Sequence, residues 1–315
     1  MLRYPATICP LSLAALLCAC AGSGGQIASA PTPVTTTEPS TSSATDQNGP
    51  AGFYPLPQSS PLISYAAGIN QSGEYPYLHF SIVGYDSSEL AIVYHPETEE
   101  YSVSIPGTRT GYAREDTKDS TPSKWFRYFY LVPEDDPESA VGWVAVARKR
   151  EINLTYTAIG RFAQGGDEMY FVTGIPTPQA EVPVTGSATY SAQTRGWTTQ
   201  GGDVVGTLQL DLDFARAGLS GSMTLMANDG TGGYREIGDY RIADGAHPIG
   251  SSTFSGQFSN TLGLTGPATF EGSFMGPDAA EVGGRWQVPV RITDPYPVGM
   301  QGTYDAAGVF AGARK

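Results

Sequence analysis

The stretch VVGTLQLDLDF, residues 204–214, leaves the chain little conformational choice. Leu208, Leu210, Leu212 and Phe214 alternate with Gln209, Asp211 and Asp213. A period of two puts the apolar residues on one face of a strand and the polar residues on the other. ARAG then turns the chain, and LSGSMTLMA returns with Leu219, Gly221, Met223 and Leu225 in the same alternation. This is a β-hairpin with one face made for burial. The pattern continues. SATYSA (187–192) opens the run, and further strands are predicted at Tyr234–Ile242, Thr253–Ser259, Ala268–Met275, Arg285–Ile292, Gly299–Tyr304 and Val309–Ala313. Eight or nine antiparallel strands therefore follow one another across residues 181–315. Closing such a meander into an up-and-down barrel removes the edges that it would otherwise expose. Barrels of about eight strands are filled by side chains or hold one small ligand, and inward Leu, Met and Phe favour filling. The steps FSGQF, FEGSF and VFAG recur too irregularly for a solenoid and fit glycines at bends of curved strands.

Residues 61–180 are also strand-rich. Strands are predicted at Tyr77–Tyr85, Leu90–Tyr94, Tyr101–Ile105, Trp125–Val132, Val141–Ala147, Tyr156–Phe162 and Met169–Gly174. YHPETEEYSVSI reads as a hairpin turning at Pro96-Glu97-Thr98. Gly111–Ser120 is charged and reads as a mobile loop, and PEDDPES (133–139) as an acidic turn. The expected fold class is all-β: an N-terminal strand-rich domain over 61–180, then a C-terminal eight-stranded barrel over 181–315.

Charge and side-chain inventory exclude several functions. A net charge of -13 argues against nucleic acid, which calls for a basic stripe, and against electrostatic adhesion to anionic membranes. All three cysteines, Cys9, Cys18 and Cys20, lie in the first twenty residues. The rest of the chain has no thiol for a disulfide, a metal or a nucleophile. His79, His95 and His247 form no close pair, so neither a metal site nor a histidine-dependent triad is expected. No cofactor is expected either. Asp211 and Asp213 share a strand face without further ligands. GTGG (230–233) has Arg235 where a third dinucleotide-type glycine would stand, so it reads as a hairpin tip. There is no Gly-x-Ser-x-Gly elbow.

The N-terminus carries an address. Arg3 precedes an apolar run to Leu17, too short to span a bilayer and shaped like a signal peptide over 1–19. Leu17-Cys18-Ala19-Cys20 resembles the lipobox of bacterial lipoproteins, which implies lipidation at Cys20. Ala21 stands where an inner-membrane retention signal carries Asp, so the resemblance implies the outer membrane. Residues 20–60, with almost no large apolar side chain, read as a disordered tether.

GSFMGPDAAEVGGRW (272–286) interrupts the strand rhythm. Gly276 and Pro277 fit the start of a helical turn. Asp278 and Glu281 suit its positive end, Ala279 and Ala280 form it, and Gly283 supplies a left-handed stop. On this reading the two carboxylates belong to a turn, a catalytic role is the minority reading, and Glu281→Gln should leave the fold nearly intact.

FVTGIPTPQAEVPVTGSATYSA (171–192), GSFMGPDAAEVGGRW and the closing GVFAGARK together resemble the transferrin-binding protein B type of bacterial surface lipoprotein. The resemblance implies a handle domain beside an eight-stranded barrel, Pro-x-x-Gly-x-Ala-x-Tyr opening that barrel and Gly-Pro-x-Ala-x-Glu joining two late strands. The founding members carry two such lobes; this chain has length for one. The resemblance further implies a monomeric binder of an extracellular protein, engaged in iron or haem acquisition and not an enzyme, with contacts from handle-side loops. Those loops would be Gly107–Ser123 and Pro133–Ala140, flanking WFRYFYLV (125–132), which reads first as a core strand with alternating faces and second, by its aromatics and Arg, as a contact surface. Trp125, Arg127, Tyr128, Glu115 and Asp116 are the candidate contact residues. A carrier of haem or another small apolar ligand inside the barrel is the alternative; a hydrolase finds no constellation.

Overall fold

A computed structural model describes residues 62–72, 79–86, 88–95, 100–104, 111–115, 126–133, 142–147, 152–164, 166–229, 231–260, 262–293 and 301–315. Seventeen strands fall into two antiparallel systems among these residues. The first nine are β1 (Ile63–Ser72), β2 (His79–Tyr85), β3 (Ala91–His95), β4 (Glu100–Ser104), β5 (Gly111–Glu115), β6 (Phe126–Pro133), β7 (Gly142–Ala147), β8 (Thr157–Gln164) and β9 (Asp167–Gly174). They make one sheet in the order β2-β1-β9-β8-β7-β6-β5-β4-β3. The chain thus enters beside its own last sheet strand, with β1 paired to β2 on one side and β9 on the other.

The remaining eight are β10 (Ser187–Thr198), β11 (Asp203–Asp213), β12 (Gly218–Asn228), β13 (Tyr234–Ala246), β14 (Thr253–Asn260), β15 (Thr269–Met275), β16 (Glu281–Ile292) and β17 (Gly302–Arg314). They form a closed barrel in chain order, sealed by β10 against β17. The expected all-β class and eight-stranded barrel are what the chain adopts.

Three expectations need correction. Gly111–Glu115 is not a loop but β5, paired on both sides. Gly299–Tyr304 and Val309–Ala313 are parts of one strand, β17, so the barrel count is eight. The strand predicted from Arg285 starts at Glu281. An added strand, β1, precedes the first one expected.

The barrel interior is a packed core. Leu208, Leu210, Leu212 and Phe214 point inward, as their alternation requires, and meet Met223, Leu225, Tyr190, Phe254, Phe270, Phe274, Trp286 and Phe310. The glycines of FSGQF and FEGSF lie two residues after a phenylalanine, on the same inner face. A Cβ at Gly256 would sit 2.7 Å from the Phe270 ring, and one at Gly272 would sit 2.8 Å from the Phe254 ring. These glycines make room for neighbouring aromatic rings, a more specific cause than strand bending. Large and small residues alternate along the inner wall, which is how a narrow barrel is filled.

One face of the sheet packs on the outside of the barrel. Tyr65, Ile69, Ile159, Tyr170 and Val172 from the sheet, with Leu154, meet Trp197, Val309 and Ala311 from β10 and β17. The opposite sheet face has its own core of Ala66, Leu90, Ile92, Val144, Val146, Phe162, Met169 and Phe171.

Candidate functional site

The GPDAAE segment is the junction of the two systems. Gly276 has φ 73°, and a Cβ there would collide with the Tyr156 ring; only glycine meets both demands. Pro277–Ala279 makes a single 3-10 turn. Its left-handed residues are Asp278 (φ 53°) and Ala279 (φ 55°). Gly283 is not the stop that the sequence suggested, because it lies inside β16 opposite Ser273. Buried hydrogen bonds hold the turn. Tyr190 Oη donates to the Ala279 carbonyl (2.6 Å), and Thr177 Oγ1 donates to the Gly276 carbonyl (2.6 Å).

Glu281 likewise departs from its expected role. It is the first residue of β16, 5% exposed, with its side chain outside the barrel wall. Its carboxylate accepts the backbone N–H of Thr155 (2.6 Å) and of Tyr156 (3.0 Å), on the connection leading into β8. A carboxylate that accepts two backbone N–H groups across an interface is a clamp.

A second cluster at this interface had no distinct signal in the sequence. The Arg161 guanidinium lies 4.5 Å from the Trp197 ring centroid, 5.2 Å from that of Trp143 and 5.9 Å from that of Tyr170. It also pairs with Glu168. Tyr170 and Tyr234 both donate their hydroxyls to Asp203 at 2.8 Å. Burial, with the Asp203 hydrogen bond and charge, pushes the Tyr234 hydroxyl up to about 12. These phenols stay protonated donors and Asp203 their acceptor. Cation–π contact and charge-assisted hydrogen bonds here join barrel to sheet.

The residues expected to contact a partner are only partly placed. Glu115 ends β5 and is paired with Phe129, while Arg127 and Tyr128 lie on the adjoining β6 opposite Val146 and Ala145. The backbone therefore brings Glu115, Arg127 and Tyr128 to one end of the β5–β6 pair. Trp125 and Asp116 lie outside the described residues, as do Cys20 and the rest of residues 20–60, where the tether is expected.

The other motifs have structural uses. At the β12–β13 tip, Asp229 accepts the N–H groups of Thr231 and Gly233, the Thr231 hydroxyl and Arg235 Nε. Those bonds, the Thr231 hydroxyl first, hold its carboxyl down at about 2. The hairpin tip thus holds the chain's own anion. Asp211 accepts from Thr189 and Gln209, and Asp213 accepts the N–H groups of Ala215 and Arg216 in the hairpin turn.

His247 closes the barrel end, fully buried, edge-on to Phe214 (5.4 Å) and Phe274 (5.1 Å). Burial lowers its pKa below the ordinary value, an effect that the Thr253 backbone partly offsets. With the folded pKa depressed, the unfolded chain takes the proton more readily. This histidine's contribution is complete above about pH 6.5 and declines as pH falls toward the folded pKa. Urea unfolding of the parent and of His247→Leu at pH 7.5 and pH 5 should show the parent losing more stability on acidification. Equal losses would place the imidazole in contact with water.

Residues 181–314 match the model of the C-lobe and N-lobe β-barrels of transferrin-binding protein B. Over its barrel, the chain is similar to transferrin-binding protein B. It carries a single lobe, one sheet and one barrel, among the described residues. Similar solved structures include transferrin-binding protein B of Haemophilus parasuis Hp5 (15% identity, TM-score 0.43), which covers 80% of this chain and 45% of that one. HpuA from Kingella denitrificans, solved in complex with human haemoglobin, has 15% identity and a TM-score of 0.40 over 86% of this chain and 92% of that one. Isotype 1 transferrin-binding protein B from serogroup B Neisseria meningitidis has 11% identity and a TM-score of 0.36, over 75% and 61%. The chain thus spans less than half the length of the Haemophilus protein. No curated protein matches it.

Proposed function

We propose that the protein is a lipoprotein of the outer-membrane surface that binds an extracellular protein, an iron carrier of the transferrin or haemoglobin kind being the first candidate. The observation that carries this reading is the filled barrel. With Leu208, Leu210, Phe254, Phe274 and Trp286 packed into its centre, ligand capture falls to the outer surface, which suits a protein partner better than a small apolar cargo. The barrel's match to the transferrin-binding family supports the same class of function. Cys20 is the lipid anchor in this reading, and residues 20–60 hold the body away from the membrane. Glu115, Arg127 and Tyr128 of the β5–β6 end make the contact, together with Asp116 and Trp125, their near neighbours in sequence. Aromatic and Arg anchors within a polar rim are the usual composition of such surfaces. No covalent chemistry is part of the proposal.

One experiment tests both halves. Cells displaying the chain are probed with labelled transferrin, with and without iron, and with haemoglobin. One probe should bind; Trp125→Ala should weaken that binding about tenfold while acyl labelling persists, and Cys20→Ala should abolish labelling and cell-bound signal together. Failure of every probe overturns the iron-carrier assignment. Undiminished labelling of Cys20→Ala overturns the anchor.

A further inference from the structure

The sheet and barrel meet along β1, β9, β16 and β17, and on the β2 side of that contact they part to leave a cleft of about 570 Å³. That volume falls within the usual range for ligand sites. Its roof is Ala67 of β1 with Ile82, Val83 and Gly84 of β2; its floor is the outer wall of β13–β16, with Asp244, Gln257, Glu271 and Arg285. Three features bear on what it takes. First, β2 is the terminal strand of the nine-stranded sheet, so among the described residues one edge of its seven-residue backbone has no strand beside it. Second, Arg285 uses Nε on Glu271 (2.6 Å), and its Nη1 lies 3.2 Å from where a Cβ on Gly84 would be. The missing side chain at 84 keeps the guanidinium beside the cleft, and its Nη groups are donors suited to carbonyl oxygens. Third, Asp244 is exposed on the floor, and with Glu271 set against Arg285 the lining is net acidic.

We infer that this cleft is a second interaction surface, which takes an extended, basic polypeptide segment of a partner by strand addition to β2. The backbone edge of β2 supplies main-chain hydrogen bonds, Arg285 donates to carbonyl oxygens, and Asp244 accepts from a Lys or Arg side chain. Strand addition draws its affinity from main-chain bonds and its selectivity from alternate side chains. A second copy of this chain is the poorer occupant, since each copy has net charge -13 and would face an acidic floor. The surface is separate from the β5–β6 end, so this inference stands or falls independently of the iron-carrier reading.

The test is selection of a phage-displayed library of random nine-residue peptides on the full chain, followed by affinity and amide-exchange measurements on synthetic winners. Winners should carry alternating Lys or Arg, slow exchange of β2 amides, and bind at least tenfold more weakly to Gly84→Val, which pushes Arg285 aside. Asp244→Lys, an exposed change, should weaken them at least fivefold with an unaltered melting curve. No winners, acidic winners, or winners indifferent to both substitutions would overturn the inference. Self-association of the chain that Gly84→Val abolishes would overturn it too, in favour of pairing between copies.

Discussion

Glu281→Ala should destabilise the protein by about 3–5 kcal/mol, since each hydrogen bond to a charged group contributes about 1.5–3 kcal/mol. The carboxylate is buried and accepts two backbone N–H groups from residues more than a hundred positions away. Removing it strands both donors beneath the interface, where water does not replace it freely. For a body of this size the loss corresponds to a fall in melting temperature of about 10 °C. Glu281→Gln keeps one acceptor oxygen and loses the charge, so its cost should be about half. Because the barrel ladders do not run through this side chain, the damage should concentrate where the sheet docks. Limited proteolysis should cut the sheet of the alanine variant sooner than its barrel. A Glu281→Ala protein that melts within about 1 °C of the parent would show that the clamp contributes nothing.

This result would reverse what the sequence suggested for the same residue, and the reason for the misreading is specific. The composition Pro-Asp-Ala-Ala-Glu-Val-Gly-Gly resembles a helical turn with a glycine stop, which puts Glu281 at the turn's positive end and Gly283 at its stop. A signal for the alternative was present. Val282, Trp286, Val288, Val290 and Ile292 share one parity, which extends the strand back past the glycines and puts Glu281 on its outer face. What no local pattern could supply was its partner, because Thr155 and Tyr156 come from the other system. The same limit applies to Arg161, Trp197 and Asp203, three unremarked residues that only the docking of sheet on barrel brings together. The barrel was legible because each strand buries one face against the others, which writes a period of two into every segment. The sheet was less so. β5 (GYARE) carries two charged residues in five and no regular alternation, so its pairing, not its composition, makes it a strand.

The inside of the barrel gives the second large effect. Phe274→Ala should cost about 3–5 kcal/mol, the range for truncating a buried aromatic ring. The Phe274 ring has no exposure and packs against Phe254 (5.2 Å), Phe214 (5.8 Å), Tyr190 (6.0 Å) and His247 (5.1 Å). The barrel wall cannot collapse into the gap readily, because Phe274 N–H donates to Ser252 and its carbonyl accepts from Thr177, tying the strand in place. The hole is walled mainly by aromatic rings, and cavities of that lining take up small apolar molecules. Benzene should therefore raise the melting temperature of Phe274→Ala and leave the parent unchanged, since only a ligand that finds a site in the folded state stabilises it. Phe274→Leu, which keeps most of the volume, should lose less and respond less. The comparison also separates the two uses to which such a barrel can be put. If the parent itself is stabilised by benzene, or if Phe274→Ala melts like the parent, the interior already holds open space. The barrel would then be a container for a small apolar ligand, and the outer surface would lose its claim as the binding site.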